Sequence, residues 1–448
     1  MGVNAARWRN LLTAFWVVPL ATILVFAALA LLLVWIDRGV DTGSVEFLFG
    51  GDASAARGIL SSVAGAFATI VGIVLSITIV TLQLVSSQFS SRALQGLLED
   101  RLNQLVAGAF VGVFIYCLLV LRTVRSEDTP GGPFVPPLSV TAAITLGVLG
   151  LVLLILFIHH VSETIQLSTI AERIGGSTLD ALDRLYPEPF DRRSADESGP
   201  EFVRRWNAES GEPAVVRPAR PGYVRSIALG TLLEGLGEGD RLHVRVRPGD
   251  FVTEGSPLAS LWSADGRRDE RVDTIRRTVN VSSRRDMRQD AAFGIQQLAD
   301  IAVRALSPGV NDPTTAVTCV GYLQAGLERL ARRTLPSALI RVPGRGTVAV
   351  VEVRTFAEYV EGAFLEVGRH ASRDARVVAA VLDSLARVAT AVMRAGSVER
   401  LAGVLEVAEA VALPATDEAR SALERERLGR ALEEVRLACA VAGGSHEV

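Results

Sequence analysis

Two groups of side chains have the types and spacing to do chemistry. His159 and His160 are followed by Glu163, and on a helix either imidazole reaches that carboxylate, at i+4 or i+3. Imidazole titrates near neutrality, so the trio could respond to pH; the plainer reading is anchoring of amphipathic rings at a membrane surface. A metal would want a third converging ligand beside the histidines, and none stands in register. The second group is Arg288, Asp290 and Asp300 with Asn311 and Asp312. If their segments fold back as a helical hairpin, they form a small polar or ion-binding cluster. A local reading competes with it. Ser307-Pro308-Gly309 makes a turn, Asp312 is a good N-cap, and Pro313 suits the first helical position.

Enzyme signatures do not accompany these groups. The chain has no Gly-rich phosphate loop, no GxSxG and no HExxH, and only five histidines. Cys117, Cys319 and Cys439 are scattered without CxxC spacing, which suits neither a disulfide framework nor a zinc site. We expect a protein without enzymatic activity, catalytic residue, metal or cofactor. Its larger soluble part is expected in a reducing compartment. The formal net charge of −3 is too near zero for a nucleic-acid binder. The chain contains no Lys, so all 46 basic residues are Arg. Function rarely strips Lys from every surface; GC-rich codon usage in a bacterium of the actinobacterial kind explains it better.

The elements that position these residues begin with a membrane half. Mean hydropathy is +0.33 although aromatics are only 6%, so Leu, Val, Ala and Ile carry the hydrophobicity. A span needs roughly 20 mostly apolar residues. Four stretches qualify, at about 11–36, 59–88, 102–121 and 137–158. The first is too long for the apolar region of a signal peptide, roughly 7–15 residues, and three spans follow it. The partner of this half, residues 1–160, is therefore the lipid bilayer. Arg7, Arg9, Arg92 and Arg101 on one side balance Arg38, Arg57, Arg122 and Arg125 on the other. The purely basic N-terminus, set against the acids Asp37, Asp41, Glu46 and Asp52, favours a multi-pass protein of a bacterial inner (plasma) membrane with both termini cytoplasmic.

Within the second span, Ser62, Gly65, Thr69, Gly72, Ser76, Gln83 and Ser87 stay on one helical face. Small and hydroxylic residues let helices approach and hydrogen-bond, so packing explains the stripe. A pore lining is the sharper reading, because Gln83 with several hydroxyls suits water better than lipid. No ionisable residue lies mid-membrane, which argues against an ion-coupled transporter.

After the fourth span, residues 161–220 read as a helical stalk and a Pro-rich, charged linker. Residues 221–265 alternate as short strands between turns, as in Gly222–Ile227 and Arg241–Arg247. This pattern resembles the small barrel-sandwich module of lipoyl and biotinyl carriers; a carrier needs a modifiable Lys, which this chain lacks. Residues 270–448 form a helical domain with helices near 288–305, 313–332, 356–370, 375–395, 398–411 and 417–442, and Gly346–Val353 as the expected strand. The fold class is mainly α: four membrane helices, a small β-module, and a cytoplasmic helical bundle.

Four segments carry a family resemblance. They are Phe110–Leu121, Phe157-Ile-His-His, Arg288-Gln-Asp-Ala-Ala-Phe-Gly-Ile, and Ala305-Leu-Ser-Pro-Gly-Val-Asn-Asp-Pro-Thr-Thr-Ala. Together they resemble the bacterial membrane proteins grouped as domain of unknown function 2254. The resemblance departs at Ser91, where related sequences usually place Pro. It implies a bacterial inner-membrane protein and brings no catalytic residues. The best-supported expectation is an oligomeric, channel-like protein, a homo-oligomer passing small ions under a cytoplasmic regulatory domain. The alternative is a membrane-anchored sensor or scaffold that binds a cytoplasmic partner or ligand.

Overall fold

The computed structural model describes residues 17–39, 48–88, 101–126, 133–164, 167–186, 199–209, 211–263, 268–342, 344 and 346–440. The chain divides into two units, Met1–Gln166 and Leu167–Val448. Four helices of the first unit are long and apolar enough to cross a membrane. They are α1 (Val17–Gly39), α2 (Ala53–Gln88), α3 (Arg101–Leu121) and α4 (Pro137–Thr164). Residues 11–16 of the expected first span lie outside the described set. At about 1.5 Å per residue, the 36 residues of α2 run to roughly 54 Å, well past a hydrocarbon core of roughly 30 Å.

Helix α3 is the hub of this unit. Val106, Phe110, Val113, Tyr116 and Val120 are buried on it and share one core with Leu60, Phe67 and Val74 of α2, Val34 of α1 and Phe157 of α4. Its glycines make that approach close. A Cβ on Gly108 would sit 2.8 Å from the Pro19 backbone of α1, and one on Gly112 would sit 2.6 Å from the Phe26 ring. The polar ends are tied as well. Buried Asp37, at the end of α1, accepts from the Leu138 and Ser139 amides and from the Ser139 hydroxyl, at 3.1, 2.9 and 2.6 Å. A carboxylate there satisfies orphan N–H groups at the α4 N-terminus and faces its positive dipole end. Tyr116 donates from its hydroxyl to the Ser139 carbonyl at 2.9 Å. Outward, α1 and α4 present Leu24, Leu31, Val152 and Ile155, as lipid-facing helices should.

The second unit opens with α5 (Leu167–Leu185), expected as a stalk but packed inside the unit. A Cβ at Gly175 would lie 2.5 Å from the Tyr322 ring, and Asp183 pairs with Arg329 at 2.7 Å and Arg333 at 2.9 Å. The residues expected as linker also hold structure: α6 (Gly199–Glu209) sets Trp206 against Trp262, ring centroids 5.7 Å apart.

Strands follow in two sheets. The first has β1 (Ala214–Val216), β3 (Arg241–Val244), β5 (Ala259–Trp262), β7 (Leu339–Val342) and β8 (Thr347–Val351), in the order β1-β5-β3-β8-β7. The second is β4-β2-β6, from β2 (Gly222–Ile227), β4 (Phe251–Val252) and β6 (Val279–Ser282). Among the described strands only β3 and β8 pair in parallel, Arg241 opposite Val348. Strand β8 thus returns from far down the chain to complete a sheet begun near residue 214. Both sheets share a core of Val224, Leu242, Val244, Leu261 and Val281, which the short α7 (Leu229–Glu234) and α8 (Arg268–Thr278) join through Leu232 and Ile275. In it Asp240, fully buried, pairs with Arg271 at 2.6 Å and accepts the Gly237 amide at 2.8 Å.

The helices that follow are α9 (Ala291–Ala305), α10 (Pro313–Ala331), α11 (Phe356–His370), α12 (Ala375–Arg394), α13 (Leu401–Asp417) and α14 (Ala422–Ala440). Their starts are written locally: Asp290, Asp312 and Asp374 are N-caps, and Thr355 with Glu358 forms a reciprocal capping box. One end is closed from a distance, because the buried Arg400 guanidinium donates to the Leu330, Ala331 and Arg333 carbonyls, each at 3.2 Å. Helix α13 runs through Pro414 to Asp417, beyond the expected stop at 411. Val411, Ala412 and Ala415 are buried, and that packing outweighs the one amide proline removes.

Candidate functional site

Helix α2 carries two opposed faces. Ala56, Leu60, Ala64, Phe67, Ile70 and Val74 are buried against the rest of the unit. At about 100° per residue, the stripe lies roughly opposite Phe67. Ser62, Gly65, Thr69, Gly72, Ser76 and Gln83 are all exposed. Ser87 lies in α2 with its side chain outside the described set. A Cβ added at Gly58, Gly65 or Gly72 would meet nothing within 4 Å. These glycines therefore differ from Gly108 and Gly112, whose missing side chains are used inside the chain. The Thr69 hydroxyl donates to the Gly65 carbonyl at 3.1 Å, which keeps its polarity close to the helix surface.

The spacing along this face is regular. Gly58, Gly65 and Gly72 recur every seventh residue, and so do Ser62, Thr69, Ser76 and Gln83. A seven-residue period on a 3.6-residue helix drifts by about 20° per repeat. It stays in contact with a neighbour only when two helices cross in a left-handed sense, the common geometry of membrane bundles.

His159 is exposed and His160 half-buried near the end of α4, while the Glu163 side chain lies outside the described set. Among the described residues no group of three or more His, Cys, Asp and Glu could hold a metal ion.

The five residues of the expected polar cluster do not come together as one site. Asp290 caps the start of α9 and Asp312 the start of α10, so the 15 residues of α9, roughly 22 Å, stand between them. Asp312 is spent locally on Thr315, whose amide and hydroxyl donate to it at 3.0 and 2.5 Å. Those two bonds hold its carboxyl below the usual range. Asn311 has φ 48°, a left-handed position that Asn tolerates, and the Val310 and Asn311 amides both donate to the Ser307 carbonyl. The Ser-Pro-Gly-Val-Asn-Asp-Pro motif thus builds a helix–turn–helix corner. Arg288 is exposed, 3.9 Å from Asp286. Asp290 and Asp300 are instead gathered around Arg285, a residue the sequence reading missed. Arg285 pairs with Asp290 at 2.8 Å, donates to Gln296 at 2.7 Å and lies over the Phe293 ring. Burial raises both carboxyls from their ordinary value, and Arg285 offsets part of that rise.

Two cavities flank this region, of about 470 and 510 Å³, with Arg354 and Tyr359 in the walls of both. Tyr359 hydrogen-bonds Tyr186, the residue after α5, hydroxyl to hydroxyl at 2.6 Å. Nothing in the local sequence of Arg354 or Tyr186 announced this, because 173 residues separate the two tyrosines.

Four helices long and apolar enough to cross a membrane, three packed on α3, followed by two sheets and a helical bundle, define a class of polytopic membrane protein. The family described as predicted membrane protein, DUF2254, matches residues 13–387, and the chain belongs to it. It is similar to an uncharacterized protein of Mycobacterium tuberculosis strain CDC 1551, 32% identical over 386 residues, covering 84% of this chain and 72% of the relative. Uncharacterized proteins of Mycobacterium bovis and of M. tuberculosis strain H37Rv are each 33% identical over 387 residues, with the same 84% and 72% coverage. No solved structure matches the chain.

Proposed function

We propose that this is a non-enzymatic, channel-like protein of the bacterial inner membrane that works as a homo-oligomer. Both termini lie in the cytoplasm, and the second unit regulates the assembly. Copies meet along α2, whose stripe borders the path for small ions. One observation carries the reading: the polar and small face of α2 turns away from α1, α3 and α4, while the outer faces of α1 and α4 are mostly aliphatic, with Leu24, Leu31, Val152 and Ile155 exposed. Lipid gives Ser, Thr and Gln no hydrogen-bond partner, whereas a second copy or a water-filled path does. A passive pore also needs no buried charge among its spans.

The test is ion flux in liposomes that hold the purified full chain, with subunit counting in the same membranes. Wild type should conduct as an oligomer, and Gln83→Leu should change the flux. A monomeric chain, or bilayers silent under voltage, tension and pH steps, overturns the proposal.

A further inference from the structure

The smaller of the two cavities stands apart from the pore reading. Much of its wall is apolar, from Leu185, Ile227, Leu229, Pro336, Ile340 and Val351. Into this wall is set a guanidinium that has no hydrogen bond or ion pair among the described residues. Arg354 is half-buried, and its partner among the described residues is the ring face of Tyr359, 5.7 Å away. The neighbouring acids are already engaged. Asp290 accepts from Arg285 on one oxygen and from the Phe293 amide on the other. Glu358 accepts from Arg247 at 2.7 Å and from the Thr355 amide at 2.7 Å. Glu352 takes the His243 ring at 3.0 Å.

Two further donors in the wall are left over. The Tyr186 and Tyr359 hydroxyls carry two protons and share one hydrogen bond, so among the described residues one proton has no acceptor. Gln289, exposed at the wall, spends its carbonyl oxygen on the Ile227 amide at 2.9 Å, and its NH₂ group has no acceptor among the described residues. The wall thus combines hydrogen-bond donors, two guanidiniums of which Arg247 is paired with Glu358, and an apolar surface. A ligand supplying acceptors would meet these donors at the cavity wall.

We propose that this cavity binds a small organic monocarboxylate, its carboxylate on Arg354 and its apolar body on the Leu185–Ile227–Ile340 wall. A planar guanidinium fork matches a carboxylate in two parallel hydrogen bonds. A phosphate dianion would bring a second negative charge close to Asp290, Glu352 and Glu358, while Arg247, the other cation in the wall, is already paired with Glu358. A volume of about 470 Å³ lies within the common range of small-ligand pockets, roughly 300–1,000 Å³.

The test uses the full chain in detergent and ligand-observed fluorine NMR with 4-(trifluoromethyl)benzoate. The neutral 4-(trifluoromethyl)benzamide reports partition into micelles. Wild type should broaden the benzoate signal more than the amide signal. Arg354→Gln should weaken benzoate binding by about tenfold or more, the loss of one charged hydrogen-bonding partner. Gly230→Phe should abolish it too. Gly230 lines the cavity and a Cβ there meets nothing within 4 Å, so a ring added at the cavity mouth should crowd the ligand without disturbing the fold. Equal broadening of amide and benzoate, unchanged binding in a folded Arg354→Gln or Gly230→Phe chain, or displacement by inorganic phosphate at equal concentration each overturns the proposal. Should Arg354→Gln fail to fold, Gly230→Phe decides alone.

Discussion

Replacing Gly58, Gly65 and Gly72 by Leu should move two measurable quantities in opposite directions. Within a single chain nothing stands within 4 Å of a Cβ at any of the three sites, so the larger side chains meet no obstacle. Glycine in a helix interior costs roughly 0.8–1 kcal/mol relative to Ala, and Leu only a few tenths. Three substitutions should therefore make the isolated subunit more heat-resistant by roughly 2 kcal/mol. Between two copies meeting along this face, the same side chains enter a contact built for bare backbone. Overpacking costs roughly 1–3 kcal/mol per site. Even at the low end the sum is about 3 kcal/mol, on the order of a hundredfold in subunit affinity. The assay is subunit counting in bilayers at falling protein-to-lipid ratio, with thermal unfolding of the dispersed subunit alongside. Gly108→Leu is the contrast, since its Cβ would lie 2.8 Å from the Pro19 backbone, and it should break the fold itself. An oligomer indifferent to the triple substitution refutes α2 as the contact. A triple variant that unfolds early as a monomer refutes the open face.

Three other outcomes follow from buried polar groups. Asp37→Ala removes three hydrogen bonds to the start of α4 and should destabilise the first unit by roughly 2–4 kcal/mol, read by thermal unfolding in detergent; Asn at this site should cost less, and an unchanged melt refutes the capping role. Asp240→Ala strands the Arg271 guanidinium in the sheet core and should cost roughly 3–5 kcal/mol, seen as early proteolysis between 211 and 282, whereas Asp240→Asn should be milder. Burial pushes the Cys319 thiol from its ordinary value near 9 up to about 12. The folded chain should therefore leave it unmodified by maleimide at pH 8 while denatured chain reacts, as mass spectrometry would report; native labelling at the denatured rate refutes it. The sign for stability is the same: the thiol's contribution is full below about 9 and is lost as the pH rises towards about 12.

What the sequence determined by itself was whatever is written in nearby residues. Four apolar stretches of sufficient length make four spans, because lipid leaves backbone amides no partner outside a helix. Asp312, Thr355 and Asp374 set helix starts through bonds only two or three residues long, and the observed starts are those expected, whereas α9 begins at Ala291 after its cap Asp290 and not near 288. The α2 stripe was equally legible, since a helical period puts those residues on one face whatever else surrounds it. Which way that face turns was not. Phe67 and Val74 settle on the α3 core, and only then does the stripe become the open side. The same holds for the residues around 288–312. Their motif was visible, but the expected cluster dissolved into separate caps once α9 stood between them, and Arg285 gathered two of the acids. Strand β8 pairing with β3 and Tyr186 meeting Tyr359 both join positions over a hundred residues apart. Arg354 is left with a ring face and unspent hydrogen bonds because the acids near it took other partners, and such competition exists only when all the claimants are packed in one place.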